Sequence, residues 1–319
     1  MASRYAPRYD ALIDAETWAF IEETENWYPP DTAELAVDEQ RAIYDRMCRA
    51  FFKGYPPGVT SHDTSIDASD RAIGVRCYTL AGSAQMAAVV YFHGGGFVVG
   101  GLDSHDDVCA EICARTGFAV FAIDYRLAPE HHFPDDFHDA MAAFAWVCGR
   151  HQGPIVLAGD SAGGNLAAAV SAATRGGDRT PLGQVLIYPG LSGQQSGGSY
   201  VEHAEAPMLT SADMAFYTAA RAGGNAQALS DPRAAPLSAP DFSNLPATWV
   251  FSAECDPLCD DGEVYCTKIA QAGGRAKWIR EAGLVHGYLR ARHSVARAAD
   301  SFSRIVEAIA CAGRGEFPG

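Results

Sequence analysis

Gly159-Asp160-Ser161-Ala162-Gly163-Gly164 decides how this chain is read. The hexapeptide follows a short apolar run, Pro154-Ile155-Val156-Leu157-Ala158, and leads into the alanine-rich residues 165–173. That order spells strand, sharp turn and helix. Gly159 and Gly163 stand two places either side of Ser161, where so tight a turn leaves no room for a Cβ between strand and helix. Ser161 at the apex is expected to hold a strained backbone conformation with its Oγ exposed. The N–H groups and positive end of the following helix then point toward it. This is the G-x-S-x-G pattern of a nucleophile elbow. Alone it also describes an incidental glycine turn, so the surrounding chain has to decide.

Outward from the elbow, strand and helix patterns alternate. Residues 72–80 and 87–93 read as strands, the second a continuous apolar run of the kind buried on both faces of a parallel sheet. Helix (103–116), strand (118–124), helix (135–149) and strand (155–158) follow. Further strands are expected at 183–188, 248–253 and 275–280, and a last helix at 294–312. The alternation predicts a mostly parallel, doubly wound α/β sheet with its site at the C-terminal edge of the strands. Residues 10–53 read as helices broken at Pro29-Pro30, with Thr32 as a cap for the second. Residues 54–70 read as loop. Between 188 and 248 the alternation stops: residues 192–200 are rich in Gly, Ser and Gln, 208–222 look helical, and 223–246 are rich in Pro, Ala and Ser. The expected organisation is cap helices over 1–60, a catalytic domain over 61–191 and 226–319, and an insertion at 192–225 that joins the cap. Trp18, Trp27 and residues 208–217 are candidates for the pocket wall.

The 319 residues carry a formal charge of −15, which argues against nucleic acid and anionic membrane surfaces as partners. No stretch approaches the roughly 18–20 apolar residues of a membrane span. Residues 1–10 lack the apolar core of a secretory signal, so a cytoplasmic location is expected. Nine cysteines without a C-x-x-C pair read as free, mostly buried thiols.

A nucleophilic Ser161 needs a base, a group to orient that base, and donors for an oxyanion. Of ten histidines, His286 lies in a loop between the last strand and last helix, on the elbow's edge of the sheet. Asp256 follows the next-to-last strand, with Glu254 as the competing carboxylate. The order Ser161, Asp256, His286 is that of an α/β-hydrolase. His93-Gly94-Gly95-Gly96, directly after a buried strand, offers backbone N–H groups unobstructed by side chains; Gly94, Gly95 and Ala162 are the expected oxyanion donors. No Lys-Ser/Thr follows these glycines, so they do not form a P-loop. His93 reads as structural.

These residues resemble the hormone-sensitive-lipase family of α/β-hydrolases, the esterases with a G-D-S-A-G elbow. The resemblance is carried by His93–Gly96, Gly100–Asp106, Asp124–Glu130, Gly159–Gly164, Asp256-Pro257-Leu258 with Asp260, and His286-Gly287. It implies an N-terminal helical cap, a Ser161/Asp256/His286 triad, and hydrolysis of short- to medium-chain esters without cofactor or metal. Residues 125–130 become a structural turn, with Asp160 and Asp260 in support. Two departures bear on substrate choice: Tyr188-Pro189 is followed by Gly-Leu-Ser, and residues 192–200 are unusually rich in Gly and Ser. The expected partner is a small-molecule ester, and a homodimer is one possible assembly. Amide or lactone hydrolysis by the same machinery is the enzymatic alternative. A receptor on this fold is the non-enzymatic one, but related plant hormone receptors lack the histidine that stands here as His286.

Overall fold

The structure is a computed structural model that describes residues 5–29, 32, 35–68, 71–193 and 196–318. Pro30, Gln194 and Gln195, which belong to segments singled out above, lie outside the described residues. Among the described residues eight strands form one sheet. They are β1 (Val59–Ala68), β2 (Arg71–Leu80), β3 (Ala88–Phe92), β4 (Ala119–Asp124), β5 (Ile155–Asp160), β6 (Gly183–Ile187), β7 (Ala247–Cys255) and β8 (Ala276–Val285), in the spatial order β1-β2-β4-β3-β5-β6-β7-β8. From β4 to β8 all neighbours are parallel; β1 and β2 extend one edge in antiparallel fashion.

Helices cover both faces. They are α4 (Asp106–Thr116), α5 (Asp135–Arg150), α6 (Ala162–Ala173), α9 (Cys259–Gln271) and α10 (Ala296–Arg314). The two-residue period of a strand divides β3 between two cores. Val89 and Tyr91 pack with α4 and α10 through Val108, Ile112, Phe302 and Ile309. Ala88, Val90 and Phe92 pack with α5, α6 and α9 through Phe144, Leu166 and Ile269. All five β3 residues are therefore buried, which is why the run carries no polar position.

Register aligns the strand ends that matter. Phe92 lies beside Gly159, Asp160 beside Ile187, Ile187 beside Phe251, and Cys255 beside Val285. The residues that follow these strands, His93, Ser161, Asp256 and His286, thus emerge at one edge. From β3 the chain crosses to β4 on one side and then to β5 on the other, so the loop after β3 opens into the crevice at the switch point.

Two more groups of helices enclose this edge: α1 (Arg8–Leu12), α2 (Ala15–Glu25) and α3 (Val37–Phe51) from the N-terminal part, and α7 (Ser199–Glu202) and α8 (Ser211–Ala222) from the segment between β6 and β7. Arg41 of α3 joins the first group to the sheet. Its guanidinium donates to the Val98 carbonyl (2.8 Å), the Ala128 carbonyl (2.9 Å) and both Glu130 oxygens (2.9 and 2.7 Å).

Two local expectations are corrected. Residues 54–70 are not all loop, since Val59–Ala68 form β1. Only Val59 and Ile66 of that strand are buried; its polar face suits a sheet edge and hides the apolar alternation that marks inner strands. Thr32 does not cap α3. The helix starts after Ala36, whose N–H donates to Glu39 Oε2 (3.3 Å), while the Thr32 hydroxyl donates to the Pro29 carbonyl (2.6 Å).

Candidate active site

The elbow forms between β5 and α6. Ser161 has φ 53° and ψ −117°, a conformation that L-residues rarely adopt. A Cβ on Gly159 would lie 2.5 Å from the Gly163 backbone, and one on Gly163 would overlap the Phe92 carbonyl while lying 2.7 Å from that of His93. Both glycines let α6 approach the end of β3, as the spacing implied. Ser161 consequently stands at the N-terminus of a twelve-residue helix, whose first N–H groups and dipole favour negative charge there.

Asp256 and His286 meet Ser161 in a chain of hydrogen bonds. His286 Nε2 lies 2.9 Å from Ser161 Oγ, and His286 Nδ1 lies 2.7 Å from Asp256 Oδ2. A carboxylate only accepts, so Nδ1 carries the hydrogen and Nε2 is left to accept from the serine hydroxyl. Asp256 is fully buried, and its second oxygen accepts from the Leu258 N–H (2.9 Å). The Tyr188 ring packs 4.8 Å from the imidazole and limits its swing. Glu254, the competing carboxylate, points elsewhere: it pairs with Arg280 and accepts from the Gly283 N–H (2.7 Å).

Of the three N–H groups expected to face an oxyanion, that of Gly94 stands apart from those of Gly95 and Ala162. Gly94 N–H is already engaged, donating to Asp160 Oδ1 (3.0 Å). Gly95 and Gly96 line the cavity with Ser161 and Ala162. Among the described residues no acceptor is recorded for the N–H of Gly95, Gly96 or Ala162. A run of three glycines cannot by itself tell which N–H faces the strand end and which faces the crevice. The missing signal was the carboxylate of Asp160, itself inside the elbow.

Asp160 ties the two loops together. Its Oδ1 accepts from the Tyr91 hydroxyl (2.9 Å) and Gly94 N–H, and its Oδ2 lies 3.2 Å from His105 Nε2. Burial alone would raise its pKa, but the His105 charge and hydrogen bond and the Tyr91 donor outweigh it and hold the carboxyl well below the usual range. His93 is not a base for the reaction. It stacks on Tyr125 with ring centroids 4.4 Å apart, its Nδ1 lies 2.8 Å from the Gly94 carbonyl, and burial together with the neighbouring His105 lowers it to about 4. Tyr125, the first residue of the 125–130 turn, donates to the His93 carbonyl (2.7 Å).

Asp260 accepts from the Ser199 N–H (2.8 Å), a supporting contact. Asp261 had no sequence signal. It accepts from the N–H groups of Leu191 (2.6 Å) and Ser192 (2.9 Å) and from the Tyr200 hydroxyl (2.9 Å), and burial raises it to about 6 despite these donors. Asp261 thereby fixes the Gly190–Gly193 loop, where the sequence departs from the family pattern, against the cavity it lines.

The triad opens into a cavity of about 570 Å³. Met208, Leu209, Met214 and Tyr217 line it, in keeping with the expectation for residues 208–217. Trp18 and Trp27 do not. Trp18 packs beside Tyr5 and Trp27 is 38% exposed, while Thr24, Glu25 and Tyr28 reach the cavity in their place. The buried face of α2 mixes Thr17 and Thr24 with Phe20 and Ile21, so the aromatic residues alone did not mark which side faces the cavity.

All nine cysteines are free thiols, eight of them buried. Among the described residues no group of three His, Cys, Asp or Glu side chains is placed to hold a metal ion. No helix among them is long and apolar enough to cross a membrane.

Residues 89–290 match the model of a family described as alpha/beta hydrolase fold. The esterase LipI of Mycobacterium tuberculosis is 38% identical over 268 residues, covering 80% of this chain and 83% of that protein. The ethyl acetate hydrolase of Pseudomonas putida is 32% identical over 70% of this chain and 72% of its own length. Among solved structures, a hyperthermophilic esterase from Pyrobaculum calidifontis superposes with a TM-score of 0.87 at 32% identity, covering 94% of this chain and 98% of that one. By elbow, sheet order and these likenesses, the chain belongs to the α/β-hydrolase family, in its hormone-sensitive-lipase branch.

Proposed function

We propose that this carboxylic ester hydrolase cleaves short- to medium-chain esters of small molecules by a serine mechanism with an acyl-enzyme intermediate. The observation that carries the reading is the unbroken Ser161–His286–Asp256 hydrogen-bond chain at the floor of the cavity. His286 Nε2 takes the Ser161 proton as Oγ attacks the ester carbonyl, and Asp256 holds the imidazole in position and stabilises its charge. Gly95, Gly96 and Ala162 N–H receive the oxyanion. Removing one such donor costs roughly 3 kcal/mol of transition-state stabilisation. His286 then protonates the leaving alkoxide; water, deprotonated by the same nitrogen, releases the acid and frees Ser161.

In the same reading residues 1–58 and 192–225 are the cap and residues 59–191 with 226–319 the catalytic domain, the first boundary being moved from the expected 60/61 to the start of β1. The cap's apolar lining and a volume in the range of small-ligand pockets support the modest acyl length. Cytoplasmic residence and a homodimer complete the reading. Rates on 4-nitrophenyl acetate, butyrate, octanoate and palmitate test it. A maximum at acetate to octanoate that vanishes in Ser161→Ala is expected. A maximum at palmitate contradicts the chain-length assignment, and turnover by Ser161→Ala contradicts the mechanism.

A further inference from the structure

One cation in the cavity wall, Arg290, has no counter-ion among the described residues. Arg290 follows His286 by four residues, and its Nη1 lies 3.4 Å from where a Cβ on Gly287 would stand. Its guanidinium donates to the Tyr44 hydroxyl and rests 4.9 Å over that ring, and its Nε is buried without a partner. Arg221, the other arginine in the wall, pairs with Asp136 at 2.7 Å. The wall's carboxylates are engaged elsewhere: Glu25 by Tyr5, Asp213 by Thr210 (2.8 and 2.7 Å), and Asp160 by the network described above. Among the described residues no carboxylate lies within ion-pair distance of Arg290. A guanidinium stays charged, and withdrawing it from water without an opposite charge is costly. A ligand carboxylate in the cavity removes that cost, because it matches the planar donor fork.

We infer that Arg290 is a specificity residue for esters that themselves carry a carboxylate: half-esters of dicarboxylic acids, or O-acyl hydroxy acids. This rests on the ester-hydrolase reading and deepens it. The overall negative charge of the chain opposes approach of such anions, so selection resides in the pocket and not in long-range steering.

The test measures kcat/KM by pH-stat for two matched pairs. Monoethyl adipate against ethyl 6-methylheptanoate places the carboxylate on the acyl side; O-butyryl glycolate against isobutyl butyrate places it on the alcohol side. At least one anionic ester is expected to exceed its neutral partner about tenfold. Arg290→Gln should lower that ratio by roughly ten- to a hundredfold, the loss of a charge-assisted contact, and Arg290→Lys should restore part of it. A ratio at or below one for both pairs, or a preference that survives in Arg290→Gln, overturns the inference. Failure to cleave any of the four esters would instead overturn the hydrolase reading. Calorimetric titrations of the Ser161→Ala protein with adipate and with O-butyryl glycolate, one ligand for each side, read the carboxylate site without turnover. Binding of either ligand lost on adding Arg290→Gln supports the site and binding of neither refutes it, with melting curves of each variant excluding misfolding as the cause.

Discussion

The backbone at Ser161 makes an unusual forecast about stability. Ordinarily Gly in place of Ala destabilises a structured position by about 0.5–1 kcal/mol, because glycine has more unfolded conformations to lose. At Ser161, φ 53° and ψ −117° press a Cβ against its own backbone, a strain of about 1–3 kcal/mol that glycine escapes. Ser161→Ala keeps the Cβ, whereas Ser161→Gly does not; both lose the hydrogen bond to His286. The difference leaves Ser161→Gly more stable than Ser161→Ala by about 1 kcal/mol, an inversion of the usual order. For a chain of 319 residues, with unfolding entropy near 2 cal/mol/K per residue, that is a Tm gap of about 1.5 °C. Urea midpoints measured in parallel resolve it better, since the slopes of two such similar variants should coincide. If Ser161→Gly proves equal to or weaker than Ser161→Ala, the elbow is not strained and the account of why the serine protrudes is wrong.

Three further outcomes follow from the geometry. Gly163→Ala drives a methyl into the Phe92 carbonyl at the end of β3, and overpacking of about 1–3 kcal/mol should appear as a lower urea midpoint together with a fall in kcat, since the same carbonyl leads into the oxyanion loop. Arg41→Met removes the donors to Val98, Ala128 and Glu130; a rise in KM and faster proteolysis of the N-terminal helices are expected, and an unchanged digestion pattern would show that Arg41 does not hold them. His93, lowered from about 6.5 to about 4, binds its proton more readily in the unfolded chain, so its contribution is complete above pH 6.5 and lost as pH falls toward 4. That is about 3 kcal/mol, and urea titrations from pH 7.5 to 4 should show a shallower loss in His93→Asn.

The parts of the fold legible in the sequence were those governed by burial on both faces. The runs now known as β3, β5, β6 and β7 carry few or no polar residues, so their place inside a parallel sheet could be read directly. β1 could not, because an edge strand with Thr60 to Ser65 in solvent shares its composition with a loop. The meeting of Ser161, Asp256 and His286 was legible because each follows a strand and order along the chain constrains the three together. The glycine loop after β3 was legible as a loop, but the engagement of Gly94 N–H by a side chain 66 residues away was not. The wall was hardest. The buried face of α2 carries Thr17 and Thr24 beside Phe20 and Ile21, and its exposed face carries Ala15 and Ala19 beside Glu16, Glu22 and Glu23, so the apolar stripe is blurred in the sequence; Tyr28, which reaches the cavity, lies beyond the helix end.

The carboxylate of Asp160 reaches the loop after β3 and the elbow after β5 at once, and its partners Tyr91 and His105 also belong to the strands and their connections. None of these bonds involves α1, α2, α3, α7 or α8. The reacting groups can therefore keep their spacing while the helices above them are exchanged, and for an engineer this chain divides into a fixed reaction floor and a replaceable ceiling. Grafting another ceiling onto it should alter which acyl groups are accepted long before it disturbs how fast a good one is turned over.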